Sequence, residues 1–259
     1  MSRRSLLCLL GAALSVLMSL LLPAFVPAGV ITGSAFYPIY ALVGAQELLM
    51  FGVPGVLLFL RSEETQAQLR EQLAPRGPME TGLTMLTAVS YTLVGAIITA
   101  LWSEFLGRYG LVPPETALPN PANAISYTFA IMCAAVIPAV SEELVFRGLL
   151  LNWLRRRGDT VAIVASAVVF ALMHRSAHAF PALLVIGLFL GRLTIRHGGL
   201  FLPMVFHFVY NLSVVVLLAA GGAFTLPTVL LSTLIAFVSA HFLLKPNKED
   251  VHGTDHHRL

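Results

Sequence analysis

The sequence predicts an all-α fold, a polytopic membrane bundle of about eight transmembrane helices. Hydrophobic residues make up 57% of the 259 residues and charged residues only 11%, whereas about 25% of a typical soluble domain is charged. The mean hydropathy is +0.84. The apolar residues form successive runs that are mostly long enough to cross a bilayer as helices. Positive residues stand at the ends of these runs.

The runs follow one another with short polar connections, so we expect a single integral membrane domain over residues 1–259. They cover approximately 6–31, 37–60, 83–105, 125–154, 160–174, 181–196, 200–219 and 226–244. The polar stretch 61–81 predicts a loop with a short surface helix at 63–73, and 107–123 predicts a second loop. A basic start followed by an apolar run is also typical of a signal peptide, but the length of the first run favours a retained helix.

Most positive residues fall on one side of this arrangement, and the other side has few, notably Arg108 and Arg175. The first side includes Arg3, Arg4, the 61–76 loop, Arg155–Arg157, Arg192, Arg196, Lys245 and Lys248. Because such residues gather on the cytoplasmic side, both termini are expected in the cytoplasm, with a polar tail at 245–259. We therefore expect a multi-pass protein of the plasma or inner membrane, with the lipid bilayer as a partner. No basic stripe is interleaved with aromatic residues, so nucleic-acid binding is not expected.

The fourth run contains two acids and an arginine at Glu142, Glu143 and Arg147. A charge at this depth costs at least a few kcal/mol, so intramembrane charges usually have a function. Glu143 and Arg147 are four residues apart, which predicts an ion pair on one helix face. Glu142 is turned about 100° away from Glu143 and can point elsewhere. Pro138 predicts a kink of the helix one turn before Glu142. The simpler alternative to a functional role is a buried structural ion pair of Glu143 and Arg147, with Glu142 as an additional acid.

Three further polar residues, His174, His207 and Asn211, lie in apolar runs. Counted from the cytoplasmic ends at about 1.5 Å per residue, Glu142 and His174 lie roughly 20 Å deep, and His207 and Asn211 roughly 12 and 18 Å. The four side chains therefore overlap in depth. Glu47 is another intramembrane acid, for which helix packing is the expected role and a contribution to the site the alternative.

The chemistry that these residues favour is the activation of water. The sequence has no Gly-x-Ser-x-Gly elbow and no His-Glu-x-x-His motif, which disfavours a serine hydrolase or a zincin. A poorly solvated carboxylate is a competent base near neutral pH, and a histidine on a facing helix can orient the same water. A second histidine with an asparagine can stabilise an oxyanion. Alternatively, three of these residues bind a metal and leave one position for water: Glu142, His174 and His207.

In their order along the chain, three motifs resemble those of the CAAX prenyl endopeptidase and bacteriocin-processing (ABI or CPBP) family of glutamic intramembrane proteases. They are Glu142-Glu143-x-x-x-Arg147, Phe170-x-x-x-His174 and His207-x-x-x-Asn211. The resemblance covers about residues 125–217, which we take as the catalytic core. Each motif alone is weak, but the three in order are specific.

The resemblance implies that Glu142 is the general base that activates water and that His174 positions and polarises this water. It implies that His207 and Asn211 form the oxyanion site. Three residues would support the site by pairing or packing: Glu143, Arg147 and Phe170. The family is generally described as independent of metals, so no cofactor is expected, with zinc as the minority alternative.

We therefore expect an endopeptidase that hydrolyses a peptide bond of a membrane-associated or lipid-anchored protein or peptide. One alternative is a non-catalytic immunity factor or peptide-binding scaffold of the same fold. Another is a transporter with ion sites at Glu47, Glu142 and Glu143. A transporter would predict two related halves and a polar path across the membrane, and the sequence shows neither.

Overall fold

The computed structural model describes residues 36–53, 55–56, 63–112, 119–221 and 225–245, and the regular structure of these residues is helical. In chain order the helices are α1 (Phe36–Glu47), α2 (Glu63–Gln72), α3 (Pro78–Gly107), α4 (Ala124–Arg157), α5 (Asp159–Met173), α6 (Phe180–His197), α7 (Phe201–Ala219) and α8 (Leu226–Leu244). α1 continues as a π-helical turn, Leu48–Gly52. The predicted first helix and the tail from residue 246 onward lie outside the described residues.

Five of the described helices, α3, α4, α6, α7 and α8, are long and apolar enough to cross a membrane, and α5 is a shorter apolar helix. These helices confirm the prediction of an all-α, multi-pass membrane protein. The ends of α4, α5, α6 and α7 agree with the predicted runs within a few residues, and α8 has the predicted bounds. The predicted end of the second run, at residue 60, lies outside the described residues. α3 begins earlier than predicted because Pro78 occupies its first turn, where a missing backbone N–H has no cost.

α4 is the central helix of the described bundle. α1, α5 and α7 pack against it, α6 packs on α5, and α3 packs on α7 and α8. α1 runs in the same direction as α4, because Gly44 lies against Cys133 and Gly52 lies against Ser141. The largest core cluster joins these helices and includes Phe146, Phe170, Leu190 and Phe206. The charged centre of α4 is therefore surrounded by apolar side chains.

α4 changes its helical form on both sides of the two acids. π-helical turns at Met132–Val136 and Leu144–Leu151 flank the α-helical segment Ile137–Glu143. Pro138 has no N–H with which to close the preceding turn, so a wider turn is accommodated before it. The disturbance that the sequence predicts at Pro138 is present as this π-helical turn. The change in helical form sets the directions in which Glu142 and Glu143 point.

The close approach of α5 and α6 depends on Gly187. A Cβ atom at Gly187 would lie 2.9 Å from both the Cα and the Cβ of Ala167, which is closer than real Cβ contacts allow. Small residues at such a crossing let membrane helices pack backbone to backbone. The approach also brings the Gly187 carbonyl oxygen to 3.5 Å from Arg147 Nη2, and this nitrogen donates a hydrogen bond to it.

We predict that Gly187→Ala destabilises the protein, because α5 and α6 must move apart to admit the methyl group. Overpacking of this kind typically costs about 1–3 kcal/mol. The measurement is the thermal unfolding midpoint of the purified protein in detergent. The matched control is Gly82→Ala in α3, where an added Cβ would meet nothing within 4 Å. The control should be neutral or stabilising by up to about 1 kcal/mol, and equal losses in both variants would contradict the packing argument.

Candidate active site

A cavity of about 420 Å³ lies between α1, α4 and the end of α5. Its wall contains both Glu142 and His174, together with Gln46, Glu47, Met50, Phe51, Phe146, Met173 and Arg175. A few polar groups that converge in an otherwise apolar cleft are typical of a ligand or substrate site. The structure thus brings two of the predicted catalytic residues into one cavity.

Glu142 and His174 face each other across this cavity. Glu142 is only 5% exposed, and its Oε2 atom lies 4.0 Å from Nε2 of His174, whose side chain is 31% exposed. The His174 Nδ1 atom lies 2.9 Å from the Phe170 carbonyl oxygen. Because a carbonyl oxygen only accepts, Nδ1 donates this bond, and Nε2 of the neutral ring keeps its lone pair. A water between the two side chains can therefore donate one hydrogen to each.

A second polar cluster, formed by Glu143, Arg147 and His207, is buried behind this cavity. The three residues are 0%, 1% and 4% exposed, respectively. Arg147 Nη1 donates to Glu143 Oε1 at 2.8 Å, which confirms the predicted ion pair. His207 Nδ1 lies 2.9 Å from the same carboxyl oxygen. The adjacent acids therefore have different surroundings, because Glu143 is bonded on one oxygen to both Arg147 and His207.

Phe170 connects the buried cluster with the cavity. It is 1% exposed, and its ring centroid lies 4.7 Å from that of His174 and 6.0 Å from that of His207. The central guanidinium carbon of Arg147 lies 4.5 Å from the Phe170 centroid, a position in which a cation is attracted to the ring face. Phe170 also orients His174 through its carbonyl oxygen. The predicted packing role of Phe170 agrees with these contacts.

His207 and Asn211 are not among the described residues that line the cavity. Asn211 is half-buried, one turn beyond His207 on α7. Sequence spacing gives the two residues a common face and depth, but it does not specify what that face contacts. The structure pairs His207 with Glu143. The assignment of His207 and Asn211 to an oxyanion site therefore stays a prediction.

The three side chains considered as zinc ligands are divided between the two clusters, since His207 bonds Glu143 and the other two face each other. Within the described ranges there is no group of three or more His, Cys, Asp or Glu side chains arranged to hold a metal ion.

Sequence reasoning missed Arg175, which lines the cavity just beyond the end of α5. Its φ of 53° lies in the left-handed region, which is uncommon for a residue with a side chain. The loop that follows is attached to α3, because Trp102 Nε1 donates to the Ala177 carbonyl oxygen at 2.9 Å. His178 Nδ1 also lies 3.0 Å from Ser103 Oγ. These are long-range contacts, so no local sequence signal identifies them.

We predict that Arg147→Met strongly destabilises the protein, because it leaves Glu143 buried without its cationic partner. Breaking one side of a buried ion pair typically costs about 3–5 kcal/mol. The measurement is the unfolding midpoint in detergent. The control is Arg108→Met, which removes the exposed Arg108–Glu104 pair, whose side chains are 71% and 68% exposed. The control should change stability by less than about 1 kcal/mol, and a comparable loss in both would contradict the structural role of the buried pair.

Comparison with known families gives one match. Residues 123–213 match the family model described as Type II CAAX prenyl endopeptidase Rce1-like. The matched segment, roughly a third of the chain, contains all seven residues of the three sequence motifs. No curated protein and no solved structure matches the chain significantly. The match supports the family resemblance read from the motifs, over the central region of this multi-pass membrane protein.

Proposed function

We propose that this protein is an intramembrane endopeptidase that uses a water activated by Glu142. Its substrate would be a membrane-associated or lipid-anchored protein or peptide. The observation that carries the proposal is that Glu142 and His174 face each other across 4.0 Å within one cavity. The family match supports the peptidase class, and this geometry supports glutamate catalysis.

In the proposed reaction, Glu142 removes a proton from the water while the water oxygen attacks the scissile carbonyl carbon. His174 Nε2 accepts the second hydrogen of the water and so directs the remaining lone pair toward the substrate. The hydrogen bond from His174 Nδ1 to the Phe170 carbonyl oxygen fixes the ring in the tautomer that this role needs. General-base catalysis of this kind contributes about 10²–10⁴-fold to the rate.

Glu143 is proposed to support the site and not to act as the base. Its Oε1 atom bonds both Arg147 and His207, and its side chain is fully buried, away from the water of the cavity. The same bonds connect α4 with α7, and Phe170 connects them with α5. The backbone that positions Glu142 is therefore held from three helices.

The oxyanion that forms during attack is assigned to His207 and Asn211. When His207 is protonated, its Nε2–H is a second donor, while Nδ1–H remains bonded to Glu143. A carboxylate at Nδ1 stabilises such an imidazolium ion. The amide of Asn211, one turn further along α7, supplies another donor. The proposed reaction uses no metal or other cofactor.

The surroundings of the cavity support a substrate that resides in the membrane. An apolar groove of about 470 Å³ lies beside Glu142, between α1 and α4, and includes Leu48, Val53, Val140, Ser141 and Leu144. An apolar peptide segment or a lipid chain fits such a wall better than a polar chain does. We propose that the protein lies in the plasma or inner membrane with both termini in the cytoplasm, as the distribution of positive residues indicates.

We predict that Glu142→Gln abolishes substrate cleavage, because glutamine keeps the size of the side chain but accepts no proton at neutral pH. Native membranes that contain wild type or Glu142→Gln are compared by mass spectrometry for new peptide termini in membrane and exported proteins. Termini present only with wild type are expected, and they identify the substrate. The control is Glu104→Gln, at an exposed acid of α3, which should leave these termini unchanged.

Identical termini in wild-type and Glu142→Gln membranes, together with a cellular phenotype that the variant retains, would contradict the protease proposal. That outcome would favour the non-catalytic immunity or peptide-binding scaffold. Loss of the termini on treatment with a metal chelator, restored by added zinc, would favour the zinc alternative over a metal-independent reaction.

A further inference from the structure

Glu47 of α1 is a third acid at the candidate site. The contacts of Gly44 with Cys133 and of Gly52 with Ser141 place Glu47 beside the α4 segment that leads to Glu142. Glu47 lines the same cavity as Glu142. Glu47 therefore faces the same space as the proposed base, which favours the contribution to the site that the sequence left as the alternative to a packing role.

One carboxyl oxygen atom of each of these side chains is withdrawn from solvent. The Oε2 atoms of Glu47 and Glu142 are buried, and neither has a hydrogen-bond partner in the described part of the chain. The other ionisable groups that face the pair are His174 and Arg175 on the cavity wall and Arg147, whose charge acts on Glu142 from within α4. The cavity wall thus contains two carboxyl groups that each have an unpaired oxygen atom.

Two carboxylates that face one poorly solvated cavity repel each other, so one proton held between the two groups is the arrangement that such a cavity favours. Such a pair presents a base and an acid to the substrate at the same time. Hydrolysis of a peptide bond needs both, since water must lose a proton and the leaving amine must gain one.

We propose that Glu47 is a second catalytic carboxyl group, which donates a proton to the leaving amine while Glu142 acts on the water. This inference rests on the proposed protease function. As the water oxygen bonds to the carbonyl carbon, Glu142 receives a water proton. As the carbon–nitrogen bond breaks, the nitrogen receives the proton of Glu47. One proton then remains on the pair and redistributes between the two carboxyl groups, so the site returns to its starting state.

The test compares wild type with Glu47→Gln and Glu47→Asp in membrane preparations, with the formation rate of the Glu142-dependent peptide termini as the readout. Glutamine keeps the size of the side chain but has no carboxyl proton to transfer, so the rate should fall about 10²–10⁴-fold. Aspartate retains the proton and should restore part of the rate. Wild-type cleavage should decline at high pH as the shared proton is lost, and Glu47→Gln should lack this decline. Glu104→Gln is the control and should match wild type.

A second measurement detects the shared proton directly and does not depend on enzymatic activity. The infrared spectrum of the purified wild-type protein in lipid should contain a carbonyl band from a protonated, buried carboxyl group. Glu47→Gln should remove this band, Glu142→Gln should shift or remove it, and Glu104→Gln should leave it unchanged. Equal unfolding midpoints for wild type and Glu47→Gln establish that the variant is folded.

The outcomes separate this inference from the proposed function. Termini that depend on Glu142 but form at the wild-type rate and with the wild-type pH profile in Glu47→Gln would overturn the inference alone. An absence of Glu142-dependent termini would overturn the protease function and, with it, the role of Glu47 as proton donor. An infrared band that is the same in wild type and Glu47→Gln would overturn the shared proton in either case.

Discussion

The buried bonds of Glu143 to Arg147 and His207 are the interactions on which the rest of the site depends. A charged pair in a membrane interior is stable only when its geometry is good and its hydrogen-bonding groups are used. Here Arg147 bonds Glu143, approaches the Gly187 carbonyl oxygen and lies over the Phe170 ring. These contacts reach α5 and α6, and His207 adds α7. We expect a change in any of them to alter the direction in which the preceding residue, Glu142, points.

The two adjacent acids can have different roles because their surroundings differ. Glu143 is buried and bonded to a cation and a histidine, which connect it with a neighbouring helix. Glu142 is turned into a cavity, where it meets His174 and Glu47. The helical form of α4 changes to π on both sides of this pair, and such turns are frequent at functional sites. A cavity acid next to a buried ionic cluster is the arrangement on which the proposed water activation rests.

Much of this architecture follows from local patterns in the sequence. Apolar runs predict the membrane helices because lipid excludes unpaired polar backbone, and the spacing of Glu143 and Arg147 predicts their ion pair. The sequence does not show that His207 bonds Glu143, because the rotation of α7 depends on its packing against α3 and α4. The position of Glu47 and Glu142 on one cavity depends on the register between α1 and α4, where Gly44 lies against Cys133 and Gly52 against Ser141. Residue spacing alone therefore does not predict the contacts between helices that are distant in the sequence.

The most direct test of the central claim is a single turnover in water enriched in heavy oxygen. Purified protein is reconstituted in lipid vesicles with the substrate that the comparison of termini identifies, and both products and protein are analysed by mass spectrometry. If Glu142 acts as a base on water, the heavy oxygen appears in the new peptide carboxyl group and not in the Glu142 side chain. Heavy oxygen in the Glu142 carboxyl group would show that Glu142 attacks the substrate itself, and cleavage that persists in Glu142→Gln would show that another group activates the water.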